Sequence, residues 1–104
     1  MDTQDIQLLM TLDRTSNITR AAEELYTTQS SVSKRIRQLE KDLGIILALR
    51  SRQGIQFTPS GEIVLRHIRA ITRELNVMNQ ELNDAQGVIS GTLRVGVSIN
   101  YAMY

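Results

Sequence analysis

The run Thr27-Thr28-Gln29-Ser30-Ser31-Val32-Ser33-Lys34-Arg35-Ile36-Arg37-Gln38-Leu39-Glu40-Lys41-Asp42-Leu43-Gly44 decides the fold. Val32, Ile36, Leu39 and Leu43 recur at i, i+4, i+7 and i+11, which is one apolar stripe along a helix. The opposite face carries Ser30, Ser31, Ser33, Lys34, Arg35, Arg37, Gln38 and Lys41. Small hydroxyls gather at the start and cations follow. Short donors and acceptors near a helix N-terminus can reach base edges in a DNA major groove, and longer cations can reach phosphates. A solvated amphipathic helix has the same periodicity, so the flanking segments must separate the two readings.

Upstream, Asp2 or Thr3 can cap a first helix whose apolar face is Ile6, Leu9, Met10 and Leu12, up to about Arg14. Thr15-Ser16-Asn17 breaks it. Asn17 can cap a second helix that turns Ile18, Ala21, Ala22 and Leu25 inward and Glu23 and Glu24 outward. Tyr26-Thr27 is then the whole turn before the third helix, with Thr28 as its cap. Two helices joined so tightly match a helix-turn-helix. Such turns often hold glycine; here Tyr26 has to take an unusual backbone conformation.

Downstream, Gly44 stops the third helix. The order Ile45 to Arg50, Ser51-Arg52-Gln53-Gly54, Ile55 to Thr58 is an apolar run, a polar turn and a β-prone run, which is a hairpin signal. Arg50 and Arg52 sit at its tip. A hairpin in this place is a wing, whose arginines can enter a minor groove or lie along phosphates. A surface loop with two solvated arginines is the plainer alternative.

Thr58-Pro59 starts a fourth helix: Thr caps, and Pro fits the first position because its missing N–H is not needed there. Val64, Ile68, Ile71, Leu75, Met78, Leu82, Ala85 and Ile89 then repeat at alternating steps of four and three, a heptad seam. From Pro59 to Ile89 such a helix measures about 45 Å. Three short helices cannot cover it, so the seam calls for a partner, most economically a second copy of the same helix in a two-fold dimer, the alternative being a further part of its own chain. Ser90-Gly91 breaks the chain again. Thr92 to Ile99 is β-branched and strand-like, and one strand cannot stand alone. It is expected to be the first strand of a further domain. The expected fold is mainly α: a winged helix-turn-helix at residues 1–58, a linker and dimerisation helix at 59–89, and a hinge with that first strand at 90–104.

The 104 residues suit one domain plus a fragment. Net charge is only +1, but residues 28–58 hold six cations against two acids. A local basic patch on a near-neutral chain suits a polyanion met on one face better than a nonspecific coat. Cysteine is absent, which removes disulfides and thiol metal sites and fits a cytosolic setting. No run is long and apolar enough for a membrane span, and the N-terminus lacks a signal peptide's cationic start. His67, the only histidine, has no carboxylate pair, nucleophile motif or phosphate-cradling glycine loop beside it. No enzymatic activity, metal site or cofactor is therefore expected in this chain.

In order and spacing, these segments resemble the DNA-binding half of LysR-type transcriptional regulators. Those that carry the likeness are Asn17 to Leu25, Thr28 to Ser33, Ile36 to Gly44, Leu47 to Arg50, Thr58-Pro59-Ser60-Gly61 and Gly91 to Gly96. The resemblance implies a winged helix-turn-helix and a linker helix that pairs antiparallel in a homodimer through Val64, Ile68, Ile71, Leu75, Met78 and Leu82. It implies bacterial transcription regulation in the cytoplasm, with a small-molecule effector domain following that changes dimer or tetramer geometry. It also implies that Gln29, Ser30, Ser33 and Lys34 face the groove, that Arg37 lies toward phosphates, and that Arg50 and Arg52 are wing contacts. Thr28, Ser31 and the free N–H groups of the third helix could hold a phosphate. Two positions depart from the family pattern. Ser30 stands where proline is usual, and Ala48 stands where phenylalanine is usual, which reduces the apolar support under the wing. A coiled-coil module whose basic helix meets an acidic protein is the competing reading.

Overall fold

The computed structural model describes residues 1–86. Three helices come first: α1 (Thr3–Thr15), α2 (Ile18–Glu24) and α3 (Gln29–Leu43). A hairpin of β1 (Ala48–Ser51) and β2 (Gly54–Phe57) follows, then α4 (Pro59–Gln86). The expected break at Ser90-Gly91, the strand from Thr92, and Ile89 at the end of the seam lie outside the described residues.

Each boundary has a local cause. Asp2 caps α1 in a capping box: its Oδ1 accepts from the Asp5 N–H at 2.9 Å, and its own N–H donates to Asp5 Oδ2 at 3.0 Å. Asn17 Oδ1 caps α2 by accepting from the Arg20 N–H at 2.9 Å. Thr28 Oγ1 caps α3 by accepting from the Ser31 N–H at 3.1 Å. Gly44 closes α3 in the left-handed conformation. Tyr26 takes φ +56° in the turn, the unusual conformation expected of it, and its side chain is 96% exposed.

Residues 1–68 form a unit with two adjoining apolar clusters. Leu8, Leu12, Ile18, Ala21, Ala22, Val32, Ile36 and Ile55 make the first, which joins the helix-turn-helix to β2. Leu9, Leu39, Leu47, Leu65 and Ile68 make the second. Leu47 and Leu65 are 1% and 0% exposed, so truncating either to alanine should cost about 2–5 kcal/mol. Leu43, expected in the apolar stripe of α3, is instead exposed, because the second cluster closes over Leu39 one turn earlier.

The wing is held from both ends. The hairpin is antiparallel, with Ala48 opposite Phe57 and Ser51 opposite Gly54. The Ile55 N–H donates to the carbonyl of Ser16 at 2.9 Å, pinning β2 to the α1–α2 turn. A Cβ on Gly54 would stand 2.1 Å from that carbonyl oxygen, so only glycine permits the approach. At the other end, the Thr58 N–H donates to the Leu47 carbonyl at 3.0 Å. A Cβ on Gly61 would lie 2.1 Å from the same Leu47 oxygen, so the first turn of α4 depends on a second close approach.

The buried face of α4 departs from the expected seam. Val64 and Ile68, assigned to dimerisation, pack into the second cluster of the chain's own core. Leu65, left out of the seam, is fully buried there. Beyond Ile68, Ile71, Met78 and Leu82 are 45%, 47% and 40% exposed and Leu75 is half-buried, whereas Thr72 is 4% exposed. The protected face is therefore rotated about one residue from the one that apolar spacing selects.

Candidate nucleic-acid interface

Helix α3 presents Gln29, Ser30, Ser31, Lys34, Arg37, Gln38 and Lys41 to solvent, while Val32, Ile36 and Leu39 hold it to the core. A hydroxyl group opens it: Thr28 Oγ1 donates to Ser31 Oγ at 2.9 Å and lies 3.3 Å from Ser30 Oγ. Thr28 is thus engaged as cap and hydroxyl partner, and Gln29, Ser30, Ser31 and Lys34 are the outward side chains of the first turns.

Ser33 is placed otherwise than expected. It is 9% exposed and does not share the outward face. Its Oγ accepts from Arg50 Nη2 at 2.8 Å. The serine is therefore engaged with the wing arginine and is not among the outward side chains of α3. Arg50 is exposed, with one guanidinium nitrogen committed to α3; Arg52, beyond it, is exposed at the turn of the hairpin.

Arg35 is also redirected. Its Nε donates to Asp5 Oδ1 at 2.8 Å, and its Nη2 lies 3.4 Å from both carboxylate oxygens of Asp2. The hydrogen bond to Asp5 comes first among the causes that raise the Arg35 pKa. The Asp5 N–H, and then Arg35, hold the Asp2 carboxyl below its ordinary value of 3.8. This cluster ties α3 to the start of α1 and takes Arg35 out of the set of free cations. Arg14 bonds Glu24 between α1 and α2, which lowers the Glu24 carboxyl from its ordinary 4.5.

Between the start of α2 and the wing runs a cleft of about 240 Å³, lined by Asn17, Thr19, Arg50, Arg52 and Gln53 among others and reached from α3 by Gln29. From the sequence Asn17 is legible only as a helix cap, and Thr19 and Gln53 carry no interface signal of their own. A second, partly open hollow of about 200 Å³ lies beside the hairpin, lined by Ile36, Ala48 and Ile55 and also by Arg37, Glu40 and Arg50. Leu49, the neighbouring apolar residue, does not fill it and is 59% exposed. Among the described residues no group of three His, Asp or Glu is placed to hold a metal ion, and no helix is long and apolar enough to cross a membrane.

Three helices, a tight turn into an exposed polar helix and a basic two-stranded wing beside it define a winged helix-turn-helix. Residues 3–62 match the family described as bacterial regulatory helix-turn-helix protein, lysR family, and the chain belongs to it. It is 35% identical over 104 residues to the HTH-type transcriptional regulator YraN of Bacillus subtilis (strain 168), covering 100% of this chain and 36% of that protein. It is 35% identical over 100 residues to the RuBisCO operon transcriptional regulator of Allochromatium vinosum, covering 94% and 33%. The chain thus spans about a third of these relatives' length. Among solved structures it is similar to the CbnR_DBD–DNA complex, with TM-score 0.71 and 26% identity over 83% of this chain and 99% of that one. It is also similar to a LysR-family transcriptional regulator from Eggerthella lenta DSM 2243, with TM-score 0.60 and 37% identity over 65% and 97%.

Proposed function

We propose that this chain binds double-stranded DNA sequence-specifically as a homodimer, as the DNA-reading part of a cytoplasmic transcriptional regulator. The observation that carries the reading is the outward row Gln29, Ser30, Lys34 and Arg37 on α3, set beside a wing whose Arg50 is anchored and whose Arg52 is exposed. Gln29 has the paired donor and acceptor that suit adenine, Lys34 can donate to guanine O6 or N7, and Ser30 suits either. Arg37, Lys41, Arg50 and Arg52 supply phosphate contacts, which dominate affinity and make it salt-dependent. The likeness to a DNA complex, at 26% identity over most of the chain, supports the same reading.

The dimer rests on Ile71, Leu75, Met78 and Leu82, an apolar row at steps of four, three and four that is largely exposed in the single chain. Two copies joined there would present two α3 helices to inverted half-sites one or more helical turns apart, about 34–36 Å each. A small-molecule effector would act through a further domain in the longer protein, altering dimer or tetramer geometry. Selection from random duplex DNA tests the reading. Recovery of an inverted repeat is the expected result; a pool with no enriched sequence would refute specific binding.

A further inference from the structure

The first three helices each end through a left-handed residue: Ser16 after α1 (φ +52°), Tyr26 after α2 (φ +56°) and Gly44 after α3 (φ +70°). In that conformation a Cβ crowds the following carbonyl oxygen, so glycine suits it best. The chain places a glycine or a small serine at two of these ends and a large aromatic at the other. Two turn bonds hold Tyr26 there. Its N–H donates to the Glu23 carbonyl at 3.2 Å, and the Thr27 N–H donates to the Ala22 carbonyl at 2.9 Å. Those bonds need the backbone shape and not the phenol, and glycine would form both with less strain.

The core does not account for the residue either. Tyr26 is 96% exposed, so it buries almost no apolar area to offset the strained backbone. A side chain kept in a sparsely populated conformation, with no contribution to folding, points to function. Its place narrows which. Only Thr27 separates Tyr26 from Thr28, the cap of α3, and Gln29 follows as the first of the outward row. The phenol therefore projects into solvent from the turn that leads into the DNA-facing end of α3, on a backbone fixed by its turn bonds. Tyrosine loses little rotamer freedom on contact, and its hydroxyl is among the neutral groups that bond DNA phosphates.

We propose that Tyr26 is an uncharged phosphate contact: its hydroxyl donates to a backbone oxygen of duplex DNA at the rim of the groove that α3 enters. The proposal rests on the DNA-binding reading above and adds a contact that no inventory of cations includes. It also has a signature of its own. A neutral donor releases no counterion, so its loss weakens binding without changing the salt dependence.

Titrations of the duplex recovered by selection, with the unaltered chain, Tyr26→Phe and Tyr26→Gly, test this. Tyr26→Phe is expected to bind about tenfold more weakly, with the same slope of log K against log salt and the same Tm. Tyr26→Gly is expected to bind at least as weakly, although its Tm equals or exceeds that of the unaltered chain. Flanking phosphates are then replaced one at a time by uncharged methylphosphonates. At one position the replacement should cost the unaltered chain several-fold more affinity than it costs Tyr26→Phe. Full affinity in Tyr26→Phe, the lack of any such position, or a lowered Tm in Tyr26→Gly overturns the contact while leaving DNA binding standing. An unaltered chain that binds no duplex overturns the DNA reading itself, and the contact with it.

Discussion

The guanidinium of Arg50, on the wing, donates to the hydroxyl of Ser33, on the recognition helix, at 2.8 Å. Seventeen residues apart in the chain, the two fix the distance between the wing and the face that meets DNA. Ser33 is therefore a positioning residue. Ser33→Ala should lower stability by about 1 kcal/mol, the net worth of a typical hydrogen bond, because the exposed Arg50 guanidinium can turn to water instead. It should weaken DNA binding by a similar factor on every half-site sequence. Isotherms on matched and scrambled duplexes check this; a changed sequence preference would show that Ser33 meets a base after all.

Arg52 and Lys34 should behave differently from each other. Arg52→Ala is expected to weaken binding on all sequences and to reduce the slope of log K against log salt by about 1, as one phosphate contact is lost. Lys34→Ala should cost about 1–3 kcal/mol on the preferred half-site and relax the preference at one base. Titrations at several salt concentrations measure both quantities, and identical behaviour of the two variants would contradict the division of roles.

The hollow under Ala48 offers a gain of stability. Ala48→Phe places an apolar ring beside Ile18, Ile36 and Ile55, which line that space together with Arg37, Glu40 and Arg50. Filling such a cavity is worth about 0.5–2 kcal/mol, or several degrees in Tm for a domain of this size. Thermal unfolding followed by circular dichroism gives the answer; an unchanged or lower Tm would mean the hollow cannot take the ring.

Acid should loosen the junction of α1, α2 and α3. Asp2 and Glu24 have folded-state pKa values depressed below the ordinary 3.8 and 4.5, the first by the Asp5 N–H and then Arg35, the second by the hydrogen bond from Arg14. A depressed carboxylate contributes stability that is complete above its ordinary value and is lost as pH falls through the lowered one. Tm should hold from neutral pH down to about 5 and then decline on further acidification. Asp2→Asn should lower Tm at neutral pH and flatten part of the acid limb. A parallel decline in both proteins would remove Asp2 as a cause.

Most of the fold was legible in the sequence because local chemistry marks its joints. Asp2, Asn17, Thr28, Gly44 and Thr58-Pro59 all stand at helix ends, where orphan N–H and C=O groups must be satisfied. What escaped depends on residues distant in the chain. Ser33 looks like an outward hydroxyl until Arg50 arrives from the wing, and Arg35 looks like a free cation until the start of α1 supplies Asp2 and Asp5. On α4, alternating steps of four and three describe two adjoining rows equally well. Apolar side chains pick out Ile71 and Met78, whereas the structure protects Leu65, Thr72 and Asn79, and no periodicity argument separates rows one residue apart.

The central claim is that paired copies of α3 read duplex DNA. Its most direct test is an equilibrium titration of a labelled duplex carrying the selected inverted repeat, with the mass of the complex taken in the same samples. Two chains per duplex, and binding at least a hundredfold tighter than on a scrambled duplex at the same salt, is the result this account predicts. A single chain per duplex, or equal affinity for both duplexes, would contradict it.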